Sequence, residues 1–253
     1  MNKDKLFHIA VPTDMNIKYA ILPGDPGRVD KIAAFLDEPQ FLAENREFRS
    51  FVGTIAGEKV IVTSTGIGGP SAAIALEELS LIGVKAAIRT GTCGGISPSV
   101  NGGDLIIPTA AVRMEGTTRE YAPIEYPAVA DFDITCALVD SATELGYTYH
   151  TGVVQSKDSF YGQHDPASMP VSYELEQKWE AWKRLGVLAS EMEAAALFTV
   201  GSVRRVKVGC VLNTIWNQEK TGTENAALSG DNTEHLIKTA VKALERLIGD
   251  SYA

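Results

Sequence analysis

Short apolar runs alternating with amphipathic stretches constrain this chain more than any other feature. The runs are Ala20–Leu22, Val60–Thr63, Ala86–Arg89, Leu105–Ile107, Gly152–Gln155 and Val208–Ile215. Several are continuously apolar, which is how a strand reads when both of its faces are covered. Between them the spacing predicts helices over Ser71–Leu81, Ile134–Leu145, Glu191–Val200 and Thr233–Leu247. The last follows the capping residues Asp231-Asn232 and sets Leu236, Ile237, Val241, Leu244 and Leu247 on one face. Strand–helix alternation predicts α/β architecture. No repeat, low-complexity stretch or linker divides the sequence, so one domain over 1–253 is expected. The polar stretch 160–180, with two prolines, runs into Trp179 and Trp182 and reads either as a flap beside a site or as a surface excursion packed by indoles.

Charge and cysteine usage exclude several classes of function. A net charge of −9 argues against a nucleic-acid surface, so any anion site must be a local cluster of arginines. The start Met1-Asn-Lys-Asp-Lys-Leu lacks the apolar core of a signal peptide, and no run is long enough to cross a bilayer. A cytoplasmic location with no membrane partner is therefore expected. Cys93, Cys136 and Cys210 are too scattered for a disulfide framework or a zinc site, and the four histidines lack metal spacing. A chain that needs no metal for its chemistry follows.

Three strand-to-helix junctions carry candidate chemistry. In Tyr19-Ala-Ile-Leu-Pro-Gly-Asp-Pro-Gly-Arg28, a glycine loop turns backbone N–H groups and a helix's positive end toward one point, and Arg28 adds a fork suited to phosphate. An ordinary turn is the alternative. Ala86-Ala-Ile-Arg89-Thr-Gly-Thr92-Cys-Gly-Gly95 ends a strand in an arginine, two threonine hydroxyls and three glycines. It reads as a phosphate site at a strand's carboxyl end or as a buried arginine holding a loop carboxylate. Thr63-Ser-Thr-Gly66-Ile-Gly68-Gly69-Pro-Ser71 has the wrong glycine spacing for a dinucleotide fingerprint, and no acidic residue closes the next strand. A nicotinamide cofactor is disfavoured, and these glycines are expected to allow close packing. Ser190-Glu191-Met192-Glu193 is read as opening a helix, its carboxylates serving either the helix dipole or the neighbouring hydroxyls of a ribose. Arg46 is open between anion ligand and surface salt bridge.

Together these segments resemble the nucleoside phosphorylase-I family, most closely its uridine-cleaving branch. The resemblance rests on Pro23-Gly-Asp-Pro-Gly-Arg28, Ser64-Thr-Gly-Ile-Gly-Gly-Pro-Ser71, Tyr126-Pro-Ala-Val-Ala-Asp131, Phe160-Tyr-Gly-Gln163 and Glu191-Met-Glu193, in order along the chain. It implies a mixed, partly closed central β-sheet flanked by helices. It also implies phosphorolysis of uridine, and of deoxyuridine or thymidine, with inorganic phosphate as co-substrate and no cofactor. By the same resemblance Gly24, Arg28, Arg89 and Thr92 would hold phosphate, with Arg46 contributed by a neighbouring subunit. His8, also from the neighbour, would bond the ribose 5′-hydroxyl, beside Thr92, while Glu193 takes the 2′ and 3′ hydroxyls over Met192. Phe160, Gln163, Cys93 and Gly94 would meet the base. Glu47, Ile67 and Ser71 match positions that in some relatives hold a monovalent cation between subunits. Shared sites imply at least a dimer, and this branch typically forms a hexameric ring of three dimers.

The match fails at one informative place. Where the uridine enzymes carry an arginine two residues after the base-reading glutamine, this chain has Asp165. An ionised aspartate cannot donate to a carbonyl, so Lys157, His164 or a water must; Lys157 could equally be a solvated side chain. Purine-cleaving relatives usually carry a Ser-Asp pair after the late strand, and here that place reads Ile215-Trp216-Asn217-Gln218. A purine phosphorylase and a hydrolytic nucleosidase are the alternatives.

Overall fold

The computed structural model describes residues 4–220 and 233–249. Ten strands form one sheet: β1 (Tyr19–Pro23), β2 (Asp37–Asn45), β3 (Phe48–Ile55), β4 (Glu58–Thr63), β5 (Ala86–Gly95), β6 (Leu105–Met114), β7 (Ala128–Val129), β8 (Tyr149–Lys157), β9 (Ala189–Glu191) and β10 (Lys207–Asn217). The helices are α1 (Pro26–Ala33), α2 (Gly69–Leu81), α3 (Phe132–Glu144), α4 (Phe160–His164), α5 (Ser172–Arg184), α6 (Ala194–Arg204) and α7 (Glu234–Ile248). The chain is thus a mixed α/β unit. One wing runs β2-β3-β4-β1-β5, and beyond it β5, β10, β6, β8 and β9 close on themselves, because β5 pairs with both β10 and β9. The expected partly closed sheet is therefore a five-stranded barrel with an open extension.

Two apolar cores lie against opposite faces, and successive strand residues serve them in turn. Ala20, Leu22 and Ala87 join α2 and α6 residues such as Leu76, Leu79 and Leu197. Ile21, Ala86 and Ile88 join Val29, Ile134, Leu138 and Leu244 from α1, α3 and α7. Period-two alternation between two dry faces leaves no polar positions, which is why these strands read as unbroken apolar runs. Asp25 and Asp131 cap α1 and α3, accepting from Gly27 N at 2.9 Å and Ile134 N at 3.1 Å. Such caps contribute about 1 kcal/mol each.

Strands β1, β4, β5 and β10 are parallel, so their carboxyl ends share one edge. From that edge the chain leaves β1 toward α1 on one face and β4 toward α2 on the other, opening a crevice where connections diverge.

Several boundaries depart from expectation. β5 continues to Gly95, so Thr92, Cys93 and Gly94 are strand residues rather than a loop. Helix α6 starts at Ala194, not Glu191, because Ser190 and Glu191 pair with β5 and β8 as β9. The stretch after residue 160 is helical: α4, a 3-10 turn at Pro166–Ser168, then α5. Helix α7 follows Thr233, and Asp231-Asn232 lie outside the described residues. Gly69 bears out the close-packing reading: a Cβ there would sit 2.7 Å from Thr117 Oγ1 and 3.4 Å from the Ala196 Cβ of α6.

Candidate active site

A cavity of about 760 Å³ opens at the shared carboxyl edge. Its cationic end is built by two arginines from different elements, one on a helix and one on a strand. Arg28 lies half-buried on the first turn of α1, and Arg89 stands on β5, only 3% exposed. Gly24 lies beside the Arg89 guanidinium, and a side chain there would meet only ordinary contacts. A Cβ there would lie 3.5 Å from Gly66 O and 3.9 Å from Arg89 Nη1. Thr92, three residues beyond Arg89, lines the same end.

Arg89 meets the carboxylate-holding reading that the sequence leaves open. It holds carboxylates: Nη2 donates to Glu193 Oε2, and Glu191 Oε2 lies 3.6 Å from Nε. Burial works against its charge, but Glu193 and Glu191 outweigh that and raise its pKa above the ordinary arginine value. Yet Nε and Nη1 are buried without a hydrogen-bond acceptor. Arg89 lines the cavity, and a guanidinium with unsatisfied N–H groups is suited to an oxyanion, since orphaned buried donors are costly.

The carboxylates divide their tasks. Glu191 accepts from Glu193 N at 2.8 Å, from Ala194 N at 2.9 Å and from Ser156 Oγ, so it caps α6. Burial, and then the charge of Glu193, push its pKa up. Glu193 bridges instead, accepting from Gly68 N at 2.6 Å while facing Arg89. Gly66, at φ +67°, makes this turn, and a Cβ there would strike Glu47 Cγ at 2.6 Å. Glu193 and Met192 both line the cavity next to the arginines.

The far end is aromatic and amide-lined. Phe160, Gln163 and His164 reach in from α4, and Trp216 from β10. Lys157, at the end of β8, is 5% exposed, which removes the solvated-side-chain reading. Its ammonium donates to Ser190 Oγ at 2.8 Å and lies 5.9 Å from the Phe160 ring centroid. Burial lowers its pKa, while Glu191 and Glu193 oppose the shift. Cys93 and Gly94 form the adjacent wall; the Cys93 thiol lies 3.6 Å from Thr214 Oγ1, and burial pushes its pKa up to about 12, so it is neutral. Asp165 is exposed and outside the cavity lining.

Arg46 and His8 are not among the residues lining this cavity. Arg46 sits exposed at the tip between β2 and β3 with φ +55°, and makes no ion pair among the described residues. His8 is nearby, since Asn45 Nδ2 donates to His8 O at 2.7 Å. Its ring Nδ1 lies 2.6 Å from Glu78 Oε1 of α2. Glu47, Ile67 and Ser71 gather at the cavity's rim, with Ser71 Oγ donating to Ile67 O at 3.2 Å. Ser190, Glu191, Ile215 and Trp216 also line the cavity without a role assigned from sequence. Only their position beside Glu193 and at the end of a long strand could have marked them.

A family model described as the phosphorylase superfamily matches residues 18–249. The chain belongs to this family. It is 48% identical over 242 residues to the uridine phosphorylase of Treponema pallidum, covering 96% of this chain and 94% of that protein. It is 42% identical to the uridine phosphorylase of Escherichia coli K12 over 98% of this chain and all of that protein. A guanosine phosphorylase of Halorubrum lacusprofundi is 35% identical over 95% of this chain and 98% of that protein.

Proposed function

We propose that this chain is a uridine phosphorylase: phosphate attacks C1′ of uridine, the C1′–N1 bond breaks with its electron pair going to the base, and uracil and ribose 1-phosphate result. The supporting observation is the set of groups in one cavity. Arg28, Arg89, Thr92, Met192, Glu193, Phe160, Gln163 and Lys157 line it together; Arg89 meets Glu193, while Lys157 lies by Phe160 and reaches Gln163 through Ser190. This set matches phosphate, pentose and base. The arginines orient the nucleophile, which is most of what such a displacement asks of them. Glu193 takes the pentose hydroxyls while positive charge develops on the sugar. Donors at the far end bind the departing base more strongly as it becomes an anion, which favours the transition state. Phosphate is a co-substrate, and the reaction needs no cofactor. Deoxyuridine and thymidine fit the same scheme, within cytoplasmic nucleoside salvage.

The active unit is a homo-oligomer of at least two subunits, and a ring of three dimers suits this family. His8 and Arg46 lie together on the surface, apart from their own cavity, as residues given to a neighbour would. The all-oxygen set of Glu47, Ile67 carbonyl and Ser71 would suit a monovalent cation where two rims meet.

A purine-cleaving alternative is favoured by one observation, Asp165 in place of a base-reading arginine, and by the 35% identical guanosine phosphorylase. Uridine, thymidine, inosine, guanosine and adenosine are incubated with the protein, with and without phosphate, and free base is followed. Phosphate-dependent uracil release is expected. Release of hypoxanthine or guanine alone would favour the alternative, and release without phosphate would point to hydrolysis.

A further inference from the structure

A one-way hydrogen-bond chain runs behind the base end of the cavity. It starts at the Lys157 ammonium, which can only donate, and does so to Ser190 Oγ at 2.8 Å. Ser190 Oγ donates to Gln163 Oε1 at 2.7 Å. Gln163 Nε2 donates to Gln218 Oε1 at 3.0 Å, and Gln218 Nε2 meets His164 Nδ1 at 2.6 Å. An amide N–H cannot accept, so Nδ1 is the acceptor and the ring proton sits on Nε2. The ring is pinned between Phe160, with centroids 4.1 Å apart, and Trp216, at 5.2 Å. Burial, and then the Lys157 charge, lower the His164 pKa and keep the ring neutral.

The chain leaves a definite set of groups for the cavity. Ser190 is the one hydrogen-bond acceptor Lys157 has among the described residues, so two of its three N–H donors are left over. Gln163 Oε1 keeps a lone pair beside the one Ser190 uses, and His164 offers Nε2–H. All three residues line the cavity. Donor, acceptor, donor is the complement of the O2, N3–H and O4 edge of uracil. Cytosine presents acceptor, acceptor, donor and is mismatched at two of those three places.

We propose that Lys157 and His164 grip the two carbonyls of uracil around Gln163, in place of the arginine that Asp165 replaces, and that Ser190 and Gln218 are positioning residues fixing the Gln163 amide and the His164 tautomer. The proposal rests on the reading of the site as uridine-cleaving. As the base leaves, its negative charge spreads over O2 and O4, where the two donors stand, so they assist departure as well as selection.

The test begins with the unaltered enzyme, whose uracil release decides the underlying reading by itself. With that activity in hand, Lys157→Met is expected to lower kcat/KM for uridine about 100-fold, the usual scale for one lost donor to developing charge, with phosphate KM unchanged. 5-Fluorouridine, whose base is the better leaving group, should lose less kcat than uridine. An equal loss for both, or no loss, overturns the role of Lys157. Nitrogen NMR of the histidine rings, with His164→Gln for assignment, should show His164 protonated at Nε2 alone near neutral pH. A ring protonated at Nδ1 overturns the chain, and the tautomer itself is read in the unaltered protein, the variant serving only to assign the signal. Gln218→Met should mix the tautomers and raise uridine KM about tenfold, one lost hydrogen bond's worth, and an unchanged tautomer overturns its positioning role.

Discussion

Lys157 is an ammonium that folding takes out of water, and its stem and head sit among Phe160, Ser190 and the cavity wall. Burial holds its pKa below the usual lysine value of 10.5. The direction of the pH effect follows. Between the folded-state and unfolded-state values the unfolded chain carries the extra proton, so stability rises with pH across that window. Below the window the charged group is buried and its full cost is present. Lys157→Met should therefore be more stable than the unaltered protein near neutral pH, because the cost of burying the charge exceeds its attraction to Glu191 and Glu193. The gain should shrink as pH approaches 10.5. Urea unfolding of both proteins across this range measures it. A variant less stable at neutral pH, or a gain that grows with pH, would contradict the account. A stabilised variant that has lost uridine cleavage would mark Lys157 as retained for chemistry at the expense of stability.

At the scale of elements, the junction of β9 with α6 ties catalysis to folding. Arg89 on β5 faces Glu193 and Glu191, and the same two carboxylates hold Gly68 N, the first amides of α6 and Ser156. Arg89→Ala removes the cation between two buried carboxylates. It should lower stability by about 3–5 kcal/mol in urea unfolding, besides impairing the use of phosphate. Adding Glu193→Gln should recover part of that loss, since one of the uncompensated charges is then gone. Full stability in Arg89→Ala would refute the pairing. This junction also shows where sequence reading stops. The fully covered strands β1, β5 and β10 were legible because both faces are apolar. β2 carries Asp37, Glu38, Pro39 and Gln40 on an exposed edge, where polar residues and proline keep other chains from pairing, so no apolar run announces it. β9 is three residues long and exists only through pairing with β5 and β8. Helix α5 buries no residue fully, so its apolar stripe is weak. Residues that touch across the cavity were foreseen in kind, whereas the hydrogen-bond chain from Lys157 to His164 joins β8, α4, β9 and the end of β10, which no local spacing encodes.

For the molecule as a whole, the decisive question is whether one chain can complete its own site. Arg28 lines its own cavity, while Arg46 stands at the exposed tip between β2 and β3 and His8 beside it. Phe7 next to His8 is 64% exposed and Ile67 at the cavity's rim is 79% exposed, apolar surface that a single chain leaves wet. Contact through a two-fold axis would bury both patches at once, because the same surface meets itself. Each site would then combine one chain's Arg28 with its neighbour's Arg46. Arg28→Ala and Arg46→Ala should each be nearly inactive alone. Co-expressed in equal amounts, half of the dimers hold one of each chain. In such a pair one site has lost both arginines and the other has lost neither, so about a quarter of all sites are intact. Recovery of about a quarter of the unaltered activity is therefore expected from two inactive proteins, together with a sedimentation mass of at least twice the chain's. If every chain built its site alone, mixing would restore nothing, and the surface positions of Arg46 and His8 would need another explanation.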